Sequence, residues 1–275
     1  MNSNKIDLID ARTQRNLNSL KHDEGLLRAE FQGVKYFLNL RLGNFIETNV
    51  LINGAWEPHI ADILASYMRT DEIIIDIGAN IGASTIPLAK KYLDSLFYLF
   101  EPHPTLYTRM SQNAAMNGLS NLIPVNFAVS DENASIAFYA QKDQPGLRNM
   151  GLSSTKPNKD MGDYEEIFVS SVRLDDFFKD IENRVCVIKI DTQGNELEVL
   201  KSATSIIDKW RPVVVFEFES EYFSDESARA RAADGILSYF NILNYHLYAI
   251  QKDSNFLPKV TLNGYFNGDI LAVPF

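Results

Sequence analysis

The sequence predicts an α/β fold built on a doubly wound, mostly parallel sheet. Apolar, β-branched strand patterns alternate with helical patterns from residue 71 onward, which is typical of strand–helix–strand units. The first strand pattern runs into a glycine-rich turn in IIIDIGANIG, and a helical pattern follows that turn. The length of 275 residues is enough for one such sheet with an extension.

The order of the predicted elements supports this fold class. Strands are predicted over residues 73–77, 96–100, 122–127, 185–190, 213–218, 245–250 and 270–273, and helices over 84–92, 104–117, 196–207 and 228–243. The stretch 135–174 interrupts the alternation and predicts an inserted β-hairpin with a long polar loop. Long loops in compact domains are often functional, so this loop is a candidate substrate-side element.

Residues 1–70 are predicted to form an N-terminal extension or lid ahead of a main domain over residues 71–275. A weak amphipathic helix is predicted over residues 6–20. Alternating strand patterns on both sides of Gln32 and Gly33 predict a hairpin. In the stretch 54–68, Pro58 suits the first turn of a helix, and the apolar residues after it share one face.

The bulk properties exclude several classes of partner. A net charge of −10 argues against a nonspecific grip on nucleic acid or on anionic membrane, which needs a basic face. The sequence has no apolar window near the ~20 residues of a membrane span, and its N-terminus lacks a signal-peptide core. The lone cysteine, Cys186, is expected to be a buried apolar residue. We therefore expect a cytoplasmic enzyme with no nucleic-acid or membrane partner.

The glycine-rich turn indicates which cofactor to expect. The dinucleotide fingerprint G-x-G-x-x-G, begun at Gly78, would place its next two glycines where Asn80 and Ala83 stand, so the fingerprint is not matched. The observed pattern is D-x-G-x-N-x-G from Asp76 to Gly82. Glu101 ends the next predicted strand, where a carboxylate can accept two hydrogen bonds from a ribose diol. The pattern favours S-adenosylmethionine over a nicotinamide cofactor. Phe127 and Ala128, near the end of the third strand, are placed to hold an adenine.

These residues resemble the FkbM-type S-adenosylmethionine-dependent methyltransferases, a Rossmann-like family. The resemblance runs in order through GAWEPH, IIIDIGANIGASTIPLA, FEPHPTLYTRMSQNAAMNG, NFAVSD, VRLDDF, IKIDTQGNELEVLKSA and VVVFEFE. It implies that Asp76 and the 78–82 turn hold the methionine and sulfonium side, that Glu101 holds the ribose, and that the Asp191 loop faces the methyl group. Candidate cofactor-binding residues are thus Asp76, Gly78, Ala79, Asn80, Gly82, Glu101, Pro102, Phe127, Ala128 and Asp191.

The fourth strand carries the candidate catalytic residues. Lys189 lies in a strand that should be central, where a lysine is costly unless it is paired. Glu217 and Asp175 are the predicted partners. Methyl transfer to a hydroxyl needs a proton acceptor, for which Asp191 is the first choice, with Glu217 and His103 behind it. A structural ion pair at Lys189 and a helix-capping role for Asp191 remain open alternatives.

The resemblance implies O-methylation of a sugar, glycan or secondary metabolite. The expected partner is a small-molecule or glycan hydroxyl acceptor, and a homodimer is one assembly considered. No metal site is predicted, although Asp191, Glu217 and Asn195 would be the ligands if a divalent ion assisted. The remaining alternatives are a degenerate fold acting as a binding or scaffold module, and a nicotinamide oxidoreductase. A nucleic-acid methyltransferase is disfavoured by the charge.

Overall fold

The computed structural model of the chain describes residues 24–41, 44–142, 150–156, 163–252, 257–260 and 267–275. The helix predicted over residues 6–20 lies outside the described residues. A central sheet of seven strands organises the molecule. Its strands are β3 (Ile73–Ile77), β4 (Leu96–Phe100), β5 (Leu122–Val125), β9 (Val185–Ile190), β10 (Val213–Phe218), β11 (Tyr245–Ala249) and β12 (Gly268–Pro274).

The strands of this sheet lie in the order β11-β12-β10-β9-β3-β4-β5. Neighbouring strands from β10 to β5 are parallel, and β12 runs antiparallel to both β10 and β11. Every side chain of β3 and β9 is buried, as expected for strands covered on both faces. The predicted doubly wound, mostly parallel α/β fold is confirmed.

The helices flank this sheet. They are α1 (Phe45–Asn53), α2 (Pro58–Tyr67), α3 (Ile86–Lys91), α4 (Pro104–Met116), α5 (Leu174–Phe177), α6 (Glu196–Ser202), α7 (Thr204–Trp210) and α8 (Glu226–Ile242), with short 3-10 turns at Met150–Leu152 and Ser220–Tyr222. The helix predicted over residues 196–207 is two helices, because the backbone at Ala203 leaves helical geometry. The strand predicted over 122–127 ends at Val125. The next residue, Asn126, donates a side-chain hydrogen bond from Nδ2 to the Glu101 carbonyl oxygen at 2.8 Å.

Two apolar cores lie on opposite faces of the sheet. Ile74, Val187 and Val215 belong to the core shared with α1 to α4, whereas Ile75 and Val214 belong to the core shared with α6, α7 and α8. Successive strand residues point to opposite faces, so each strand serves both cores. Cys186 is buried in the first core, as predicted.

The N-terminal hairpin is part of the first core. Strands β1 (Glu24–Phe31) and β2 (Val34–Arg41) pair antiparallel, and the backbone N–H of Phe37 donates to Asn117 Oδ1 at 2.9 Å. The backbone N–H of Asn39 donates in the same way to Asn113 Oδ1 at 2.8 Å. A buried ion pair joins Glu47 of α1 to Arg109 of α4. The predicted hairpin is confirmed, and it is fixed to α4 by hydrogen bonds.

The predicted insertion is also a hairpin. Strands β7 (Ser135–Gln141) and β8 (Tyr164–Val172) pair antiparallel, and the short β6 (Ala128–Val129) joins β8 in parallel. The described part of its loop reaches the main sheet, where the Ser154 hydroxyl donates to the Gln193 carbonyl at 3.0 Å. Within the described residues, no helix has both the length and the apolarity needed to cross a membrane.

Candidate active site

A cleft opens at the carboxyl ends of β3, β4, β9 and β10. In open α/β sheets this edge is where ligands bind. The predicted site residues that line the cleft are Gly78, Ala79, Asn80, Glu101, Pro102, Phe127, Ala128, Lys189, Asp191 and Glu217. Asp76, Gly82 and His103 are not among its lining residues. The structure thus brings most of the predicted set to one place.

The glycine-rich turn is shaped by contacts within the protein. Gly78 has a φ of +78°, and a Cβ at this position would lie 1.8 Å from the carbonyl oxygen of Asp191. Glycine at 78 therefore lets the exit of β3 touch the exit of β9. A Cβ on Gly82 would lie 2.9 Å from Ile86 Cδ1, so this glycine lets α3 pack against the turn.

Glu101 connects this turn to the next strand end. Its Oε2 accepts a hydrogen bond from the Asn80 N–H at 2.9 Å, and its Oε1 accepts one from the His103 N–H at 2.8 Å. Burial raises the pKa of Glu101 to about 7 despite these two donors. The carboxyl group lines the cleft and fixes the position of Asn80.

Lys189 pairs with acids on two sides. Its Nζ lies 3.6 Å from Asp76 Oδ1 and 3.4 Å from Asp191 Oδ2. Burial alone would lower the pKa of Lys189. The carboxylates of Asp76 and Asp191 outweigh that effect and hold the pKa above its ordinary value. Asp76 also accepts a hydrogen bond from the Thr85 hydroxyl, so it fixes the strand ends from beneath the cleft.

The predicted partners of Lys189 need correction. Lys189 lies opposite Asp76 on β3 and opposite Val215 on β10, so Glu217, two residues further along β10, is level with Asp191. Asp175 accepts the backbone N–H groups of Ser205 and Ile206 at 3.0 and 3.1 Å, which ties it to the start of α7. The prediction of Asp175 as a partner was therefore wrong.

Gln193 bridges two of the acids, a role that the sequence did not reveal. Its Nε2 donates to Asp191 Oδ1 at 2.8 Å and to Glu217 Oε2 at 3.1 Å. The Tyr222 hydroxyl also donates to Glu217 Oε2, at 2.7 Å. Burial, followed by the charge of Asp191, raises the pKa of Glu217 to about 9. Glu217 is thus a neutral, hydrogen-bonded acid at pH 7.

Glu57 is a second site residue that sequence reasoning missed. It lines the cleft from the segment between α1 and α2, and its φ of 43° is unusual for a residue with a side chain. Burial raises its pKa to about 7, although Lys189 opposes that shift. Nearby, the rings of Phe45 and Trp56 meet edge to face, 5.8 Å apart, and both line the cleft. GAWEPH in the sequence was the available signal.

His103 has a structural position next to the site. It is the N-cap of α4, where its Nδ1 accepts the Thr105 N–H at 3.2 Å. Its Nε2 lies 3.4 Å from the Gln141 carbonyl oxygen. The structure therefore does not bring the His103 side chain to the cleft. Across the described ranges, no three His, Cys, Asp or Glu side chains are grouped to hold one metal ion.

The sheet order and the cleft at its carboxyl edge define a Rossmann-like α/β protein. Residues 76–247 match the model described as the methyltransferase FkbM domain, and the chain belongs to that family.

Individual relatives are more distant. The chain is 29% identical over 144 residues to Methyltransferase 1 of Beauveria bassiana, a match covering 48% of this chain and 58% of that protein. It is 24% identical over 231 residues to the 2-O-methyltransferase NoeI of Sinorhizobium fredii, covering 81% and 93%. The crystal structure of Methyltransferase FkbM from Methylobacillus flagellatus is 16% identical, with a TM-score of 0.46 and coverage of 76% of this chain and 45% of that chain. The match to the Beauveria bassiana protein spans little more than half of that protein's length.

Proposed function

We propose that the chain transfers a methyl group from S-adenosylmethionine to a hydroxyl group of a sugar-containing or secondary-metabolite acceptor. The observation that carries the proposal is the meeting of the 78–80 turn, Glu101 and Asp191 in one cleft at the carboxyl edge of the sheet. Membership of a methyltransferase family supports the reaction class.

The residues present fit this cofactor. Glu101 stands at a strand end beside the glycine-rich turn, where an ionised carboxylate accepts hydrogen bonds from a ribose diol. The buried Oε1 of Gln193 has no hydrogen-bond partner among the described residues, so it can accept a hydrogen bond from an ammonium or hydroxyl group of a ligand. Phe127 is about one-third exposed at the cleft, which suits stacking against a flat base.

S-adenosylmethionine supplies a methyl group already activated by the positive charge on its sulfur. The protein's task is then to align the acceptor oxygen with that methyl group, and alignment of this kind is worth about 7–11 kcal/mol. The Asp191 carboxyl group lines the cleft and can attract the positively charged sulfur.

The acceptor class is proposed from the side of the cleft contributed by the N-terminal extension. The Phe45 and Trp56 rings offer an apolar surface, and the Glu57, Glu217 and Tyr222 side chains offer hydrogen-bonding groups nearby. A hydroxylated ring needs both kinds of contact. The name of the relative NoeI, a 2-O-methyltransferase, is consistent with such an acceptor.

Calorimetry with S-adenosylmethionine and S-adenosylhomocysteine tests the cofactor half of the proposal. We expect both compounds to bind the folded protein. If neither binds, the proposal fails, and a parallel fluorescence titration with NADH then tests the nicotinamide alternative. Transfer of a tritiated methyl group to sugars with an unmodified 2-hydroxyl tests the acceptor half, and binding without transfer to any hydroxyl acceptor would favour a scaffold role.

A further inference from the structure

We propose that Glu57, supplied by the N-terminal extension, accepts the proton of the acceptor hydroxyl during methyl transfer. The inference rests on the proposed function. As the acceptor oxygen forms its bond to the methyl carbon, the carbon–sulfur bond breaks and its electron pair stays on sulfur. The hydroxyl proton passes to the Glu57 carboxylate and from there to solvent, leaving a methyl ether and S-adenosylhomocysteine.

The other carboxylates that line the cleft are already engaged by the protein. Glu101 accepts two backbone N–H groups. Asp191 is held by Lys189 and by the Gln193 amide. Glu217 accepts from Gln193 and from the Tyr222 hydroxyl. Within the described part of the chain, the Glu57 side chain lines the same cleft and makes no hydrogen bond or ion pair.

The backbone places Glu57 for this role. It occupies the N-cap position of α2 with left-handed angles, φ 43° and ψ 57°, and its side chain does not cap the helix. A left-handed conformation is costly for an ordinary residue and is found where the surrounding structure imposes it, often at active sites. Here the carboxyl group lies at the cleft, and the Glu57 carbonyl oxygen instead accepts the N–H groups of Ile60 and Ala61 at 3.0 and 3.1 Å.

The surroundings of Glu57 set its ionisation. Charged and titratable groups act on the Glu57 carboxyl group from four neighbouring elements. They are His59 of α2, Lys189 of β9 and Asp191 just after it, Glu217 of β10, and Asp269 of β12. Burial is the largest effect and raises the pKa of Glu57 to about 7, while Lys189 and His59 oppose the rise. A general base is most effective when its pKa lies near the working pH.

The first test counts protons and needs no acceptor. Wild type is titrated with S-adenosylmethionine and with S-adenosylhomocysteine at pH 7, in phosphate and in Tris, which differ in ionisation enthalpy. The two ligands differ in the methyl group and the charge on sulfur. A carboxyl group beside that methyl group loses its proton more readily when the sulfonium is bound. We therefore expect more proton release with S-adenosylmethionine than with S-adenosylhomocysteine.

The variants Glu57→Gln and Glu57→Asp test whether Glu57 is the source of the extra proton release with S-adenosylmethionine. It should shrink in Glu57→Gln and persist in Glu57→Asp. It should also persist in the matched control Glu219→Gln, since Glu219 is not among the residues lining the cleft. A difference that survives unchanged in Glu57→Gln would overturn the assignment. Failure of wild type to bind either ligand is a separate result, which overturns the proposed function itself.

The second test is kinetic and uses a sugar from the 2-hydroxyl panel that wild type methylates. At saturating S-adenosylmethionine, turnover should rise with pH with a midpoint below about 7, because the pKa of Glu57 is about 7 in the free protein and the bound sulfonium lowers it. Glu57→Gln should lower kcat by about 10²- to 10⁴-fold and remove this rise, with S-adenosylhomocysteine affinity unchanged. If Asp191→Asn removes the rise and Glu57→Gln does not, Asp191 is the base and Glu57 is not.

Discussion

Asp76 and Lys189 face each other across the parallel pair β3–β9, with 3.6 Å between Oδ1 and Nζ. The same ammonium group lies 3.4 Å from Asp191 at the cleft. One buried cation thus joins an acid beneath the site to an acid within it. The position of Asp191 depends on a charge balance that extends into the sheet.

Lys189→Met should destabilise the protein strongly. It leaves the buried Asp76 and Asp191 without their cation, and loss of one partner of a buried ion pair costs about 3–5 kcal/mol. Urea unfolding at pH 7 measures the change. Lys201→Met, at an exposed position of α6, is the control and should change the unfolding free energy by less than about 0.5 kcal/mol. Equal stability of the two variants would contradict the role of Lys189.

The same ion pair predicts no loss of stability around neutral pH. The pKa of Lys189 is raised in the folded state, so its contribution is fully present below the ordinary value of 10.5. It is lost only as the pH rises further, through the folded-state pKa. A wild-type unfolding curve at pH 7 is therefore a valid reference for Lys189→Met.

Glu101→Gln should weaken S-adenosylhomocysteine binding by about 10- to 100-fold, because hydrogen bonds to a charged group are worth about 1.5–3 kcal/mol. The pKa of Glu101 is about 7 before ligand binds, so wild-type affinity should fall as the pH drops below 7. Calorimetry between pH 5.5 and 8.5 measures both effects. The Glu101→Gln variant should lose this part of the pH dependence. If the variant binds S-adenosylhomocysteine as tightly as wild type does, Glu101 does not contact the cofactor.

Gly78→Ala and Gly33→Ala form a matched pair. Both glycines have positive φ, +78° and +80°, so an alanine is strained at either position. Only at Gly78 does the added Cβ clash, lying 1.8 Å from the Asp191 carbonyl oxygen, whereas nothing lies within 4 Å at Gly33.

The Gly33→Ala variant should therefore lose about 1–2 kcal/mol of unfolding free energy and keep its cofactor affinity. The Gly78→Ala variant should lose more and also bind S-adenosylhomocysteine weakly, because the exit of β9 must move. Chemical denaturation and calorimetry on the same preparations compare them. Equal behaviour would show that the close approach of β3 and β9 does not control the site.

Glu217 should make the protein less stable as the pH rises. Its folded-state pKa of about 9 lies above its ordinary value of 4.5. Its favourable contribution is therefore fully present below pH 4.5 and is lost as the pH rises toward 9. The unfolding free energy of wild type should fall between pH 5 and 9 by more than about 1.4 kcal/mol, the equivalent of one pKa unit. Glu217→Gln should show a flatter profile, and an equally steep one would contradict the buried neutral acid.

Much of the frame could be predicted because buried parallel strands are continuous apolar runs. The strands β3, β4, β9 and β10 have the predicted bounds. Their carboxyl ends meet at one edge, which brings Glu101, Asp191 and Glu217 to the same cleft. The sequence therefore located the site through the ends of its strands.

The contacts within that site could not be predicted from the sequence. Which strand lies beside β9, and in what register, is a property of the assembled sheet, so Asp76 was not recognised as the partner of Lys189. Glu57 follows no periodic pattern, since its position depends on one left-handed backbone conformation. The bridge made by Gln193 likewise depends on two strand exits that are close only in the folded chain.

Some of the residues that line the cleft lie outside the matched family region, residues 76–247. Phe45, Trp56 and Glu57 precede that region, and Lys252 follows it. In the proposed division, the matched region carries the cofactor half, and the flanking segments add Phe45, Trp56 and Glu57 to the acceptor half. The range of acceptors can then change through exchange of the flanking segments while the common core stays the same. A chimera in which residues 44–70 come from a relative should take on the acceptor preference of that relative.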